Sequence, residues 1–368
     1  MGASQIIYIR TDGNKDIAAG HIMRCLTIAR EIIARGHSVC FLVSDEESLS
    51  ILCKQEPSVV ITSDMQTYED SIDKNNIYAY ELSHADYRDL ERELPELLSL
   101  LQKNPGTLLI DSYYVTDNYL KALQAITGTV YIDDIREFAY TADLLINYDC
   151  FTERMCAEHK NGIYKNIPNL LLGAEYAPLR PQFLDKKMEL KQDVKNIFIT
   201  TGSSDPYHFS LLFCKHLLEK CTSTGYDYHI VIGSLNTDFE TIKNLVQDCP
   251  NIHLYRGLTN LMSLMLTCDL AITAGGTTLY ELCALGIPSF SFSMADNQHS
   301  NPMILDELGI VPYGGDIRTD MDTVLKQCFT FISDFSNDYA KRKAAHTKMN
   351  SLITGDGAKK IANAILAL

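Results

Sequence analysis

The fold is decided by the stretch DLAITAGGTTLYEL, residues 269–282, in which an apolar strand pattern runs into two glycines and a helical pattern follows at once. Strands that lead directly into helices are typical of α/β proteins with parallel sheets. Gly275 and Gly276 allow a ligand to approach the backbone closely. The N–H groups of the first helical turn and the helix dipole then favour an anion. The stretch therefore predicts an anion site at the carboxyl end of a strand.

The side chains after the glycines extend this prediction to a nucleotide. Thr277 and Thr278 add hydroxyl donors, and Glu281 lies about one turn into the helix. A carboxylate at that place can accept hydrogen bonds from both hydroxyls of a ribose. We therefore interpret the stretch as a diphosphate and ribose site. The simpler alternative is a strand–helix turn in which a threonine caps the helix.

Strand and helix patterns alternate outward from this stretch over most of the 368 residues. In the helix pattern at 21–35, apolar residues recur every three or four positions and form one face. Two alternating series predict two doubly wound domains, which we place at residues 1–184 and 194–368 with a polar linker at 185–192. The last helix, 358–368, is amphipathic and is expected to pack back on the body. Predicted strands are 5–10, 38–43, 59–62, 107–111, 129–133 and 144–147, then 197–201, 228–233, 252–255, 270–274 and 289–293. Other predicted helices are 87–103, 116–126, 209–220, 239–248, 261–266 and 278–285.

The composition restricts the partners of the chain. It carries 32 lysines and arginines against 47 aspartates and glutamates, a formal net charge of −15. Such a chain is a poor general binder of nucleic acid or anionic lipid, so an anion must be bound by local groups. No apolar run is long enough to predict a membrane span. The 11 cysteines form no C-x-x-C pair, and no signal-peptide pattern is present, which together predict reduced thiols in a cytoplasmic protein.

Polar residues follow two other predicted strands of the second domain. The segment FSMADNQ, residues 292–298, places Asn297 and Gln298 where they can reach a phosphate or a sugar hydroxyl. A plain turn is an equal alternative for this segment. The segment TGSSD, residues 201–205, places Gly202 in a loop that can close over a phosphate.

The first domain presents a candidate base in AGHIMR, residues 19–24. His21 stands at the start of a predicted helix, at the carboxyl edge of the first sheet. A positive helix end disfavours a protonated imidazole, which keeps His21 neutral and able to accept a proton. The alternative is an ordinary polar cap. Arg24, one turn further on, can pair with a phosphate or lie on a solvated face.

Carboxylates also end two predicted strands of the first domain, in DSY, residues 111–113, and in IDD, residues 132–134. Paired aspartates can hold a divalent metal. No set of His, Cys and Asp has convincing ligand spacing, so hydrogen bonding or turn capping is the favoured role. The sequence contains neither G-x-x-x-x-G-K-[ST] nor G-x-G-x-x-G, which argues against a P-loop NTPase and a standard nicotinamide enzyme.

Together these motifs resemble the UDP-sugar hydrolases of pseudaminic acid biosynthesis, within a wider group that includes spore-coat polysaccharide proteins. Those proteins are relatives of the MurG-like glycosyltransferases of GT-B fold. GHIMR and LGAEYAPLRPQF are the motifs that indicate the hydrolase branch. The matching segments are RTDGNKDIAAGHIMR (10–24), LIDSY (109–113), YIDDI (131–135), LLIN (144–147), LGAEYAPLRPQF (172–183), TGSSD (201–205) and the run from 272 to 298.

The resemblance implies an α/β, GT-B-like fold with two doubly wound Rossmann-like domains facing across a cleft. It implies hydrolysis of UDP-2,4-diacetamido-2,4,6-trideoxy-β-L-altropyranose to UDP and the free sugar, with His21 and Tyr113 as the catalytic residues. The loop before His21 carries Asn-Lys-Asp at 14–16 where small residues are common in the family, and this departure concerns the sugar pocket. The implied substrate-binding residues are Arg10, Asp12, Gly20, Arg24, Asn147 and Gly202, with Gly275, Gly276, Thr277, Thr278, Glu281, Asn297 and Gln298 for UDP.

The implied chemistry needs one base and no metal or other cofactor. UDP is a good leaving group, so His21 has only to activate a water molecule on the opposite face of the sugar, with inversion. A glycosyltransferase of the same fold, in which His21 deprotonates an acceptor hydroxyl, is the first alternative. A binding protein that has lost catalysis is the second. The first domain shows no basic amphipathic patch, which favours the hydrolase, and we expect a monomer or weak dimer.

Overall fold

The computed structural model describes residues 5–17, 19–62, 76–219, 225–258 and 260–368. The chain folds into two compact units. Unit 1 consists of Met1–Arg180 together with Asp356–Leu368, and unit 2 is Pro181–Gly355. Each unit contains one parallel sheet with helices in the connections between its strands.

The strands of the two sheets are short and largely apolar. Those of unit 1 are β1 (Ile6–Thr11), β2 (Ser38–Val43), β3 (Val60–Ile61), β4 (Ile77–Glu81), β5 (Thr107–Asp111), β6 (Thr129–Ile132), β7 (Leu144–Asn147) and β8 (Asn169–Leu172). Those of unit 2 are β9 (Asn196–Thr200), β10 (Asp227–Ile232), β11 (Ile252–Arg256), β12 (Leu270–Ala274), β13 (Ser289–Ser293) and β14 (Tyr313–Asp316).

Helices connect most of these strands and cover the sheets. In chain order they are α1 (Gly20–Ile33), α2 (Glu46–Gln55), α3 (Leu94–Lys103), α4 (Asp117–Gln124), α5 (Glu153–Asn161), α6 (Phe209–Glu219), α7 (Phe239–Leu245), α8 (Met262–Met265), α9 (Thr277–Leu285), α10 (Ser300–Glu307), α11 (Met321–Asn337), α12 (Tyr339–Leu352) and α13 (Gly357–Ile365). Because helices cover the faces of a parallel sheet, strands such as β2 are buried along their whole length.

Each sheet has a point where the strand order reverses. The order in unit 1 is β3-β4-β2-β1-β5-β6-β7-β8, so the chain leaves β1 on one side and returns beside it as β5. The order in unit 2 is β11-β10-β9-β12-β13-β14, with the same reversal between β9 and β12. Ligands of open α/β sheets bind outside the carboxyl ends of the strands at such a point. The candidate sites lie after β1 and β5 in unit 1, and after β9 and β12 in unit 2.

The structure differs from the sequence-based expectation at both ends of the second domain. The last helix, α13, was expected with residues 194–368, but it packs against α1 and belongs to unit 1. Ile361 and Ile365 are fully buried there, because the apolar face of α13 completes the core on that side of the first sheet. The polar run 185–192 packs on unit 2, where Met188 N donates to Leu285 O at 2.8 Å.

The sequence analysis missed three strands, the helices α2, α5 and α10, and one helix start. Of the missed strands β4, β8 and β14, the last two lie at sheet edges, and β14 has the sequence YGGD, whose two glycines indicate a turn. The helix expected at 87–103 is a 3-10 turn at Leu90–Glu93 followed by α3. A proline in the first turn of α3 lacks an N–H group and fits only the start of a helix, which sets the boundary.

Most cysteines of the described residues are buried. Within the same residues, no helix combines the length and the apolar character that crossing a membrane would require.

Candidate functional site

His21 lies at the first turn of α1, at the carboxyl edge of the unit 1 sheet. Its imidazole is almost fully buried, and its Nδ1 lies 2.7 Å from Asp111 Oδ1 at the end of β5. The Tyr113 ring meets the imidazole edge-on, with 4.4 Å between the ring centroids. The structure thus brings the two residues that were expected to be catalytic into contact with each other.

The contact with Asp111 selects a tautomer of His21. A carboxylate only accepts hydrogen bonds, so the proton of the neutral imidazole lies on Nδ1. Nε2 is then the nitrogen with a free lone pair, and it has no hydrogen-bond partner among the described residues. An imidazole held in this way is oriented to take a proton from a hydroxyl or from water.

Asp111 is fully buried and accepts from three side chains. Besides His21, Arg24 Nε donates to its Oδ2 at 2.7 Å, Arg24 Nη2 donates to Oδ1, and the Cys25 thiol donates to Oδ2 at 3.2 Å. Burial alone would raise the pKa of the Asp111 carboxyl, but the charge of Arg24 and the contact with His21 lower that pKa well below its ordinary value. Asp111 is therefore ionised throughout the neutral range.

Arg24 uses all five of its N–H donors inside unit 1. Two go to Asp111, two go to Asp134 at 3.1 and 2.6 Å, and the fifth goes to the hydroxyl of Tyr148. A guanidinium satisfied in this way has no donor left for a phosphate. The structure therefore speaks against the expected phosphate or solvated role of Arg24. For Asp134 the hydrogen-bonding role favoured from the sequence agrees with these contacts, whereas Tyr148 was not singled out, and its only signal is its place after β7.

Ligand atoms of His21, Asp111 and Asp134 lie within 4.8 Å of one another, a spacing that could suit a metal ion. The guanidinium of Arg24 occupies the position between the two carboxylates that a cation would take. These residues therefore fit an arginine rather than a metal. The neighbouring Asp133 caps the turn after β6, where its Oδ1 accepts from the backbone N–H groups of 135 and 136 at 2.9 Å.

Three other expected substrate-binding residues of unit 1 lie inside the protein. Arg10 is fully buried and donates to both oxygens of Glu93, at 2.7 and 2.8 Å, and to Asp12. Asn147 is buried, and its amide donates to the Tyr164 hydroxyl at 3.0 Å. These contacts give Arg10, Asp12 and Asn147 a structural part in supporting the strand ends. The surroundings of Gly20, by contrast, are open within 4 Å of where a Cβ would lie.

In unit 2, α9 begins directly after β12 with an uncapped N-terminus. Its N-cap is Gly276, which has no side chain to accept a hydrogen bond from the first turn. Thr277 is exposed and Thr278 is half-buried at this end of the helix. The N–H groups of this turn and the positive end of the helix dipole are the features from which the sequence analysis predicts an anion site here.

The two glycines before α9 have different roles. A Cβ on Gly275 would lie 2.4 Å from Pro302 Cγ and 2.6 Å from Gln298 O, so this glycine is required by the protein's own packing. A Cβ on Gly276 would meet nothing closer than 3.8 Å, at Gln298 Nε2. Only Gly276 therefore leaves room for a ligand to approach the backbone.

The polar side chains expected to contact UDP gather near Gly276 to different extents. The Gln298 amide lies beside Gly276, and its Oε1 accepts from Met294 N at 3.2 Å. Asn297 is exposed one residue earlier, in the 3-10 turn Asp296–Gln298. Glu281 is buried in the second turn of α9.

In the loop after β9, the carboxylate of Asp205 caps the N-terminus of the following helix. Asp205 accepts from the N–H groups of Phe209 and Ser210 at 2.9 and 2.8 Å, and so satisfies the N-terminus of α6. An anion at this helix end would meet the Asp205 charge, so the structure disfavours a phosphate there. Gly202 has a φ of 94° and open space where a Cβ would lie. Its role is to let the chain turn at the strand end.

No protein-family model matches the chain. It is 26% identical over 299 residues to an uncharacterized protein of Methanocaldococcus jannaschii, covering 77% of this chain and 54% of that protein. It is 23% identical over 359 residues to the spore coat polysaccharide biosynthesis protein SpsG of Bacillus subtilis, covering 95% of this chain and 94% of SpsG. The chain thus spans about half the length of the archaeal relative and nearly all of SpsG.

A third relative is a bifunctional protein of Helicobacter pylori, the pseudaminic acid cytidylyltransferase and UDP-2,4-diacetamido-2,4,6-trideoxy-β-L-altropyranose hydrolase. It is 28% identical over 187 residues, which are 50% of this chain and 31% of that protein. Among solved structures, MurG of Acinetobacter baumannii superposes with a TM-score of 0.66 at 13% identity and covers 99% of this chain and all of MurG. The chain is therefore similar to SpsG over nearly its whole length and to the Helicobacter pylori protein over half of it, and it has the α/β GT-B-like fold of MurG.

Proposed function

We propose that the protein is an enzyme of nucleotide-sugar metabolism that hydrolyses a UDP-linked sugar, with His21 as the base. The observation that carries the proposal is the 2.7 Å contact between His21 Nδ1 and Asp111 Oδ1. That contact holds the imidazole in the tautomer whose Nε2 can accept a proton. The resemblance of the site motifs to UDP-sugar hydrolases supports the same role.

In the proposed reaction, His21 Nε2 takes a proton from a water molecule as its oxygen attacks the anomeric carbon of the sugar. The bond between that carbon and the diphosphate oxygen breaks, and its electron pair leaves with UDP. The free sugar carries the water oxygen with inverted configuration. Because UDP is a good leaving group, this scheme needs a base and no separate acid.

The uncapped N-terminus of α9 supports the assignment of the diphosphate to unit 2. Preorganised N–H groups stabilise the negative charge that develops on a leaving phosphate. Glu281 is assigned to the ribose, and Asn297 and Gln298 to the phosphate or sugar hydroxyls. The proposal thus assigns proton transfer to unit 1 and nucleotide binding to unit 2.

The proposed sugar is 2,4-diacetamido-2,4,6-trideoxy-β-L-altropyranose. Its support is the hydrolase named in the Helicobacter pylori relative, over the half of this chain that the relative matches. A second candidate function is that of an inverting, MurG-like glycosyltransferase, in which an acceptor hydroxyl takes the place of water. The exposed Tyr113 and Ile135, which follow β5 and β6, favour this candidate because they offer apolar surface to an acceptor.

Incubation with a panel of UDP-sugars in the absence of any acceptor separates the two functions. We expect UDP and free sugar to be released from the diacetamido-trideoxy compound, with inversion detected by NMR, and to be released equally in excess EDTA. UDP release that requires an added acceptor would establish the transferase instead. Release that stops in EDTA would contradict the metal-free scheme.

A further inference from the structure

Two carboxylates lie close to the imidazole of His21, the proposed base. Oxygens of Asp111 and Asp134 both lie within 4.8 Å of a ring nitrogen of His21, and Asp111 is fully buried. An anion at this distance stabilises a protonated imidazole. A histidine that is already protonated cannot take a proton from water, so the charges of these carboxylates act against the role of His21 as a base.

Arg24 is the one cation of the described residues that contacts this group. Its Nη2 lies 3.0 Å from His21 Nδ1 and also donates to Asp111 Oδ1 and Asp134 Oδ2. Its side chain is mostly buried, so solvent screens its charge only weakly. A second positive charge on the imidazole would therefore be placed directly against the guanidinium.

The position of Arg24 is fixed from several elements. Asp111 comes from the end of β5 and Asp134 from the turn after β6. Tyr148, after β7, accepts from Nη1 and lies with its ring centroid 5.5 Å from the guanidinium carbon. The remaining titratable groups near the imidazole are Tyr113, in edge contact with it, and the Cys25 thiol on Asp111.

We propose that Arg24 is a positioning residue that keeps His21 in its neutral, proton-accepting form by offsetting the two carboxylates beside it. This inference rests on the proposed role of His21 as the base. It replaces the phosphate-binding role that the sequence suggested for Arg24. It also explains why the arginine lies one helical turn after the histidine, since that spacing places both side chains on the same face of α1.

The test is the pH titration of the His21 imidazole, followed by NMR of its carbon-bound ring protons and assigned by their loss in His21→Asn. In Arg24→Gln the titration midpoint should move to higher pH by about 1–3 units, the usual effect of a charge at this distance. Arg24→Lys, which keeps the charge, should restore most of the shift. Arg30→Gln is the matched control, because Arg30 lies on the same helix but pairs with Glu56.

A second variant should shift the titration midpoint of His21 in the opposite direction. Asp134→Asn removes one anion and leaves Arg24 in place, so the His21 midpoint should move to lower pH. A folded Arg24→Gln protein whose midpoint is unchanged would overturn the inference. If Arg24→Gln does not fold, a midpoint in Asp134→Asn that is unchanged or raised would overturn it equally.

The inference about Arg24 and the proposed function can be rejected independently of each other. The NMR midpoint depends on the charges around His21 and needs no substrate. If the midpoint moves as expected, the acidic limb of UDP release should move with it in Arg24→Gln. A shifted midpoint in a protein that releases no UDP from any sugar would leave the charge balance established and would reject the proposed function.

Discussion

At the scale of the residue, the assignment of His21 as the base makes a direct prediction. His21→Asn should lower the rate of UDP release by about 10²–10⁴-fold, the usual contribution of a general base. UDP affinity, measured by calorimetry, should stay nearly unchanged because the nucleotide is assigned to unit 2. A folded variant with normal turnover would reject the assignment, and Tyr113 would be the next candidate. Joint loss of turnover and UDP binding would make His21 structural.

A substitution of Glu281 tests whether this residue binds the ribose. Glu281→Ala should weaken UDP binding by about 1–3 kcal/mol, the loss expected when hydrogen bonds to a charged group disappear. Thermal unfolding of the variant must accompany the calorimetry, since Glu281 is buried. Glu307→Ala, at an exposed position on α10, serves as the control. Unchanged UDP affinity in a folded Glu281→Ala protein would exclude a contact with the ribose.

At the scale of the element, the two adjacent glycines between β12 and α9 are expected to have different roles. Gly275 serves the packing of the protein, and Gly276 is assigned to ligand binding. Gly275→Ala places a Cβ 2.4 Å from Pro302 Cγ and 2.6 Å from a backbone oxygen, so it should lower the melting temperature. Gly276→Ala has room for its Cβ and should melt near the wild-type temperature, yet weaken UDP binding by intruding on the ligand. The reverse pattern, with Gly276→Ala unstable and still binding UDP normally, would contradict the proposed anion site.

At several other helix starts, a side chain of the protein itself caps the N-terminus. Asp45, Thr116, Asp320 and Asp338 each accept a hydrogen bond from the first turn of their helix. Such caps satisfy the N–H groups that would otherwise bind an anion. The start of α9 has a glycine in the cap position and no such cap, as is also the case for the starts of α1 and α10, whose cap residues make no side-chain hydrogen bond.

At the scale of the whole molecule, the last helix stabilises the unit formed by the first part of the chain. Ile361 of α13 is fully buried in a cluster with Ile22 and Leu26 of α1. Ile361→Ala should cost about 2–5 kcal/mol of stability, the usual range for a buried isoleucine truncated to alanine. Hydrogen exchange should show lost protection in α1 and β1 and unchanged protection in unit 2.

The matched control for this prediction is Lys360→Ala, because Lys360 neighbours Ile361 and its side chain is partly exposed and paired with Asp356. It should change the stability by less than about 1 kcal/mol, as exposed ion pairs usually do. Protection that is lost in unit 2 rather than in unit 1 would contradict the placement of α13.

The GT-B-like fold was expected from the resemblance of the motifs to a known family, whereas the sequence patterns themselves predicted the α/β class and the two alternating series of strands and helices. These depend on local patterns: period-two and period-3.6 apolar spacing, and glycines after strand ends. The same local reasoning placed His21 at a helix start and two glycines before α9, where it predicts an anion site. It missed edge strands such as β14, because pairing with a neighbour stabilises a strand whose own sequence indicates a turn.

Tertiary packing determines which of these residues contact each other. His21 and Asp111 are 90 positions apart in sequence, and the adjacency of β1 and β5 in the sheet brings them into contact. The same packing turned Arg24 from a candidate phosphate ligand into the partner of two carboxylates. It turned Arg10 and Asn147 into buried supports, and it moved α13 to unit 1. Such contacts depend on strand order and on the burial of charge, which act between distant segments and leave no local pattern in the sequence.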